Sequence, residues 1–151
     1  MTTILYSHPA CIEHDPGPMH PECPGRLNAV LDGLKEPEFN YLKRIEAPKI
    51  DLKIVEMVHQ ADYIEKVMDV LPTEGRIHLD PDTILSPGSI EASLRASGAA
   101  IHAVDKVMTG QALNAFCAVR PPGHHAEISQ AMGFCLFNSA AIAAVYARSK
   151  H

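Results

Sequence analysis

The stretch Cys117–Ala126, which reads CAVRPPGHHA, constrains the fold of this chain more than any other segment. The apolar residues Phe116–Val119 predict a short buried strand, and the RPPG sequence of Arg120–Gly123 predicts a rigid turn after it. The turn leads into two adjacent histidines, His124 and His125. Open α/β sheets bind ligands outside the carboxyl ends of their strands, and histidine titrates near neutral pH. The two imidazoles are therefore candidates for proton transfer, and the alternative is a solvated pair of loop residues.

Composition narrows the class of protein. The 151 residues suffice for one domain, and contents of 46% hydrophobic and 21% charged residues are ordinary for a soluble globular protein. The net charge of -5 argues against nucleic acid as a direct partner, because phosphate binding requires a basic face. The sequence shows no secretion signal and no apolar run of the length that spans a bilayer. We therefore expect a cytoplasmic protein without a membrane partner.

A second unusual segment is the loop His8–Gly25, which contains five prolines. Prolines at this density predict an ordered loop without regular secondary structure. Two cysteines and two histidines in it could serve as zinc ligands: Cys11, His14, His20 and Cys23. Their spacing matches a structural zinc site only loosely, since such sites usually place two cysteines together and two histidines together. The simpler interpretation is that these thiols and imidazoles are hydrogen-bonded within the loop.

Hydrophobic periodicity predicts strands that alternate with helices along the chain. Asp62 and Glu65 have the spacing of a capping box, and Ser89 is a natural N-cap for the long helix after it. The alternation predicts an α/β fold with a mostly parallel sheet. The expected elements are strands at 3–6, 41–45 and 116–119 and helices that begin near Pro24, Leu52, Asp62, Ser89 and Ser139.

Several motifs together resemble the zinc-dependent histone deacetylase superfamily, which includes histone deacetylases, histone-deacetylase-like amidohydrolases and acetylpolyamine amidohydrolases. The tandem histidines in RPPGHHAE are followed, at the spacing of that family, by GFCLFNSAAIAA at 133–144. The sequences HPECPGRL at 20–27 and DPDT at 80–83 also agree. The resemblance implies a three-layer α/β/α fold with a mostly parallel sheet, as in arginases and deacetylases. It also argues against a zinc site in the first loop.

The same resemblance implies roles for the residues around the tandem histidines. His125 would act as general base on a zinc-bound water, and His124 would hydrogen-bond this water and help to stabilise the developing oxyanion. Phe134 would form one wall of the tunnel that takes the aliphatic chain of the acetylated amine. Gly133 would accept a hydrogen bond from the substrate amide.

Two further residues match the family at the edges of the site. Asp82 matches a rim aspartate that holds the substrate backbone, and Arg26 would line an internal channel through which acetate leaves. The zinc ligands of the family lie in a D-x-H motif and a later aspartate, and no D-x-H follows His125 in this sequence. We therefore expect residues 1–151 to be the N-terminal part of a single deacetylase-like domain, incomplete before its metal-binding strand and without metal ligands of its own.

The resemblance predicts a zinc-dependent amide hydrolase that removes acetyl groups from acetyl-lysine or from acetylated polyamines and other small amines. The 151 residues alone are then expected to be inactive. The alternative is a non-catalytic fragment or binding module that keeps part of the substrate tunnel. An arginase-like hydrolase would share the fold, but the RPPGHH sequence is not expected in that group.

Overall fold

The computed structural model describes residues 2–151, and its elements alternate along the chain as the sequence predicts. Five strands form one three-stranded sheet and one two-stranded sheet. The strands are β1 (Thr3–Ser7), β2 (Lys43–Glu46), β3 (Ile77–His78), β4 (Ile84–Leu85) and β5 (Asn114–Cys117). The helices are α1 (Ala10–Glu13), α2 (Pro24–Gly33), α3 (Leu52–Val55), α4 (Ala61–Asp69), α5 (Ser89–Met108) and α6 (Ser139–Lys150), with a short 3-10 turn at Pro37–Phe39.

The larger sheet is parallel, and its strand order is β2-β1-β5. Side chains of the central strand β1 alternate between two covered faces. Ile4 and Tyr6 pack with Ala99 of α5 on one face, whereas Leu5 packs with Leu27 of α2 on the other. Helices therefore cover both faces of a parallel sheet, and the predicted three-layer α/β/α fold is confirmed.

The long helix α5 lies close to the chain that leaves β2. A β-carbon added at Gly98 would lie 1.9 Å from the carbonyl oxygen of Pro48, so only glycine permits this approach. In the half of α5 that precedes Gly98, the helix shares a second hydrophobic core with α4, α6 and the segment before α6. The buried members of that core include Ile64, Val67, Leu94, Leu136 and Ile142. This core fixes the segment that carries Gly133 and Phe134 against the body of the domain.

The strand before the tandem histidines is less buried than its apolar sequence predicts. Strand β5 comprises Asn114–Cys117, and the Phe116 side chain is 50% exposed. Phe116 pairs with Leu5 across the sheet, and both side chains point to the face that α1 and α2 cover over β1. That cover does not extend over Phe116, because β5 lies at the edge of the described sheet.

Three local predictions are wrong: two at the starts of helices and one in the first loop. The N-cap of α4 is Gln60, so Asp62 lies inside the helix and makes no capping box. Ser89 is the first residue of α5 and not its N-cap, because its hydroxyl accepts a hydrogen bond from the Ser86 amide at 2.7 Å. The proline-rich first loop contains the short helix α1. Among residues 2–151, no helix has the length and apolar character to cross a membrane.

Candidate active site

One pocket of about 440 Å³ brings together all six site residues predicted from the sequence. They come from four separate segments: the start of α2, the turn before β4, the loop after β5 and the turn before α6. Glu22 and two prolines complete the wall. The lining residues are Pro21, Glu22, Arg26, Asp82, Pro122, His124, His125, Gly133 and Phe134.

The tandem histidines occupy a tight turn at the carboxyl end of β5. The Ala126 amide donates to the Gly123 carbonyl at 3.1 Å, so His124 and His125 are the two central residues of that turn. Their imidazole rings are exposed, with centroids 4.2 Å apart. A β-carbon on Gly123 would lie 2.4 Å from the Phe137 carbonyl oxygen, so the turn packs directly on the backbone before α6.

Gly133 and Phe134 form the opposite wall, and both have backbone conformations in the left-handed region. Gly133 has φ of 56°, and a β-carbon there would lie 2.8 Å from the Cβ of His125, so only glycine fits against this imidazole. Phe134 has φ of 69°, and its amide donates to Thr83 Oγ1 at 3.1 Å. That bond ties the unusual backbone to the loop that carries Asp82.

His20 supports this wall, a role that the sequence did not reveal. Its Nδ1 accepts a hydrogen bond from the Glu22 amide at 3.1 Å, which leaves Nε2 to donate to the Asp82 carbonyl at 3.0 Å. Its ring also packs against that of Phe134 in an edge-to-face arrangement, with centroids 4.7 Å apart. His20 therefore joins the first loop, the Asp82 loop and the pocket wall by ordinary hydrogen bonds and packing.

Glu22, a residue of the pocket wall, forms a buried ion pair with Arg120, which lies outside the pocket lining, and each side chain is 2% exposed. The guanidinium donates to both carboxylate oxygens of Glu22, at 2.9 and 2.8 Å. It also donates to the carbonyl oxygens of Cys11, His14 and Glu22 at 2.6 to 2.8 Å. Arg120 thus holds the first loop against the segment that connects β5 to the tandem histidines. The RPPG sequence indicated a turn but gave no sign of this pair.

His14 extends the buried network away from the pocket. Its Nδ1 lies 2.7 Å from the Ser89 hydroxyl, and its Nε2 lies 3.6 Å from Glu22 Oε2. Burial, reinforced by the charge of Arg120, lowers the pKa of His14 to about 3. Burial raises the pKa of the Glu22 carboxyl above its usual range, and the guanidinium of Arg120 opposes this by favouring the ionised form.

The low pKa of His14 predicts a loss of stability in acid. The ordinary pKa of about 6.5 applies in the unfolded chain, which therefore binds a proton that the folded chain excludes until about pH 3. The contribution of His14 to the free energy of unfolding is expected to fall as pH drops below about 6.5, by about 3 kcal/mol between pH 7 and pH 4, and the raised pKa of Glu22 opposes this fall. Urea denaturation at a series of pH values measures this slope.

The variant His14→Gln cannot titrate, so its stability is expected to change less over the same pH range. The exposed His78 provides the matched control, because His78→Gln should keep the wild-type slope. An unchanged slope in His14→Gln would show that His14 is not the group responsible.

Within residues 2–151, no group of three or more histidine, cysteine, aspartate and glutamate side chains is placed to hold a metal ion. The pocket is lined by the imidazoles of His124 and His125 and the carboxylates of Glu22 and Asp82, but no three of these side chains are grouped as the three or four protein ligands of a zinc site would be. In the first loop, His14 and His20 are engaged in the hydrogen bonds described above. The residues present therefore do not make a zinc site by themselves.

The covered parallel sheet and the histidine pocket at the carboxyl end of one strand define an α/β domain of the arginase and deacetylase class. The family model "Histone deacetylase domain" matches residues 20–151. The chain belongs to the histone deacetylase family. The structure of the HDA15 HD domain superposes with a TM-score of 0.89 at 30% identity, over 98% of this chain and 44% of that one.

Curated relatives with similar sequences come from distant organisms. Type-2 histone deacetylase 2 of Dictyostelium discoideum is 35% identical over 96% of this chain and 10% of its own length. A probable deacetylase of Archaeoglobus fulgidus is 35% identical over 94% of this chain and 40% of its own length. The polyamine deacetylase HDAC10 of Rattus norvegicus is 34% identical over 99% of this chain and 25% of its own length. The chain therefore spans half or less of the length of these relatives.

Proposed function

We propose that the protein carrying this domain is a zinc-dependent amide hydrolase that removes acetyl groups from acetyl-lysine or from acetylated polyamines. The observation that carries the proposal is the convergence of His124, His125, Gly133 and Phe134 on one pocket. Membership of the histone deacetylase family supports the same reaction class. One relative is named a polyamine deacetylase and another a histone deacetylase, so both substrate types enter the proposal.

In this reaction the tandem histidines carry the acid–base chemistry. His125 accepts a proton from the attacking water and returns a proton to the leaving amine, which balances the hydrolysis. His124, whose ring centroid lies 4.2 Å from that of His125, donates a hydrogen bond toward the oxygen on which negative charge develops. The exposed rings at the carboxyl end of β5 are accessible to both water and substrate.

The remaining pocket residues bind the substrate. The Phe134 ring lies against the aliphatic chain of the acetylated amine, and the Gly133 carbonyl accepts a hydrogen bond from the scissile amide. Asp82 lies on the opposite loop, where its carboxylate accepts hydrogen bonds from a peptide backbone or attracts the second ammonium group of a polyamine. Arg26, whose side chain is 62% exposed, lies at the end of the pocket nearest Glu22 and interacts with a departing acetate.

Zinc enters the proposal through the family and not through the described side chains. When bound, it would polarise the acetyl carbonyl and lower the pKa of the attacking water. The resemblance assigns its ligands to a D-x-H motif and a later aspartate, which the 151 residues do not contain. We therefore expect these 151 residues alone to hydrolyse no acetylated substrate, although they retain the histidine pocket.

The test is release of acetate by the full-length protein, supplied with zinc, from an acetyl-lysine peptide and from N-acetylputrescine. Release from either substrate that stops on chelation and returns with zinc is the expected result. A folded, zinc-loaded protein that releases acetate from neither would overturn the proposal. If that protein binds the acetyl-lysine peptide without hydrolysing it, the binding-module alternative holds instead.

A further inference from the structure

The amide side chain of Asn138 contacts the backbone of the turn that carries the tandem histidines. Its Nδ2 donates to the Ala126 carbonyl at 3.0 Å and lies 3.5 Å from the His124 carbonyl oxygen. These two carbonyls flank His125 on either side. The imidazole of His125 is exposed on one side and lies against Gly133 on the other, so the position of its ring depends on this contact and on the backbone that carries it. The Asn138 amide therefore contacts the backbone on both sides of His125.

Asn138 is itself fixed from two further directions. Its Oδ1 accepts a hydrogen bond from the Ala141 amide at 3.0 Å, which caps α6 and determines which end of the side chain is the NH2 group. Its backbone amide donates to Nε2 of His59 at 2.9 Å. His59 is 2% exposed, and its ring packs against that of Phe137 with centroids 5.7 Å apart. The hydrogen-bond donor under the turn thus has little freedom to move.

We infer that Asn138 is a positioning residue for the deacetylase reaction, which sets the place of His125 by holding the carbonyls of His124 and Ala126. This inference rests on the proposed function, since it assigns Asn138 an effect on the same tandem histidines. Asn138 lines no part of the pocket and acts through the backbone of the turn. A displacement of about 1 Å at a reacting group is enough to lower a rate by about a hundredfold.

Two substitutions separate the cap of α6 from the support of the turn. Asn138→Ser keeps a good N-cap oxygen, but its short hydroxyl does not reach the two carbonyls. Asn138→Asp keeps both the cap oxygen and the shape of the side chain, and it places a carboxylate oxygen against the Ala126 carbonyl in place of an NH2 donor. Both variants are therefore expected to fold with α6 intact.

The expected result is a loss of kcat with KM within about twofold of wild type, because the substrate-binding wall at Phe134 is untouched. We expect kcat to fall about tenfold in Asn138→Ser and about a hundredfold in Asn138→Asp, the latter through repulsion between oxygens. The exposed Asn28 on α2 provides the matched control, and Asn28→Ser should retain wild-type kcat and KM.

The experiment uses the full-length zinc-loaded protein, the acetyl-lysine peptide, and thermal melting of each variant alongside kcat and KM. A wild-type protein that releases no acetate contradicts the proposed function. A wild type that is active, with both Asn138 variants within twofold of its kcat, overturns the positioning role alone. Losses that follow only the fraction of unfolded protein in the melting curves would likewise overturn it, whereas loss of kcat in a fully folded variant supports it.

Discussion

Replacing His125 with alanine is expected to lower kcat for an acetyl-lysine peptide by about 10²–10⁴-fold in the full-length protein. The variant removes the side chain that we propose accepts the proton of the attacking water. The imidazole is exposed, so its loss should change the free energy of unfolding by no more than about 0.5 kcal/mol. Steady-state kinetics together with urea denaturation measure the two effects separately.

A control must show that removing a histidine outside the pocket does not lower kcat. His78 is exposed on the short strand β3 and lies outside the pocket of the tandem histidines, so His78→Ala should keep the wild-type kcat. His124→Ala should also lose activity, because this imidazole is proposed to stabilise the developing oxyanion. If His125→Ala kept more than a tenth of the wild-type kcat, His125 would not be the general base.

The pocket could be anticipated from the sequence because its parts belong to short motifs. His124 and His125 are adjacent, and Gly133 with Phe134 follows eight residues later in a single connecting segment. Asp82 and Arg26 lie far away along the chain, and only the family resemblance placed them in the same site. The structure brings all of these residues to one pocket, whereas their individual roles remain proposals.

The supports behind the pocket could not be anticipated, since they depend on contacts between distant segments. Arg120 and Glu22 are separated by 98 positions, and His14 and Ser89 by 75. Each residue also has an ordinary local interpretation: Arg120 begins a turn, and Ser89 precedes an apolar helix. Asn138 caps α6, which its position just before the helix accounts for, but its second contact with the turn depends on the tertiary fold.

The order of the main elements followed from hydrophobic periodicity, and the errors are local. The predicted strand at 116–119 starts two residues earlier, at Asn114, because pairing with β1 and not apolarity determines where a strand begins. Gln60 occupies the N-cap position of α4 without a side-chain cap, although Asp62 has the better capping side chain, since packing of Tyr63 and Ile64 into the core sets the helix start. Tertiary packing thus overrides local preference at these positions.

Replacing Arg120 with methionine is expected to lower the free energy of unfolding by about 3–5 kcal/mol, the usual loss when one partner of a buried ion pair is removed. The carboxylate of Glu22, 2% exposed, would keep only Arg26 at 3.3 Å and the neutral His14 nearby. Three backbone carbonyls would lose their donor as well. Chemical denaturation of the chain measures the loss. Lys35→Met is the control, because its pair with Asp32 is exposed and contributes about 0.5 kcal/mol or less.

A double variant shows whether the loss arises from the unpaired charge. In Glu22→Gln combined with Arg120→Met, no buried carboxylate remains, so the double variant is expected to be more stable than Arg120→Met alone. The difference in free energy of unfolding that remains between the double variant and wild type is then attributed to the three carbonyls of the first loop that no longer have a donor. If the two single losses simply added, the guanidinium and carboxylate would not be coupled. Strong coupling would instead establish that one buried pair holds the first loop to the strand that presents the tandem histidines.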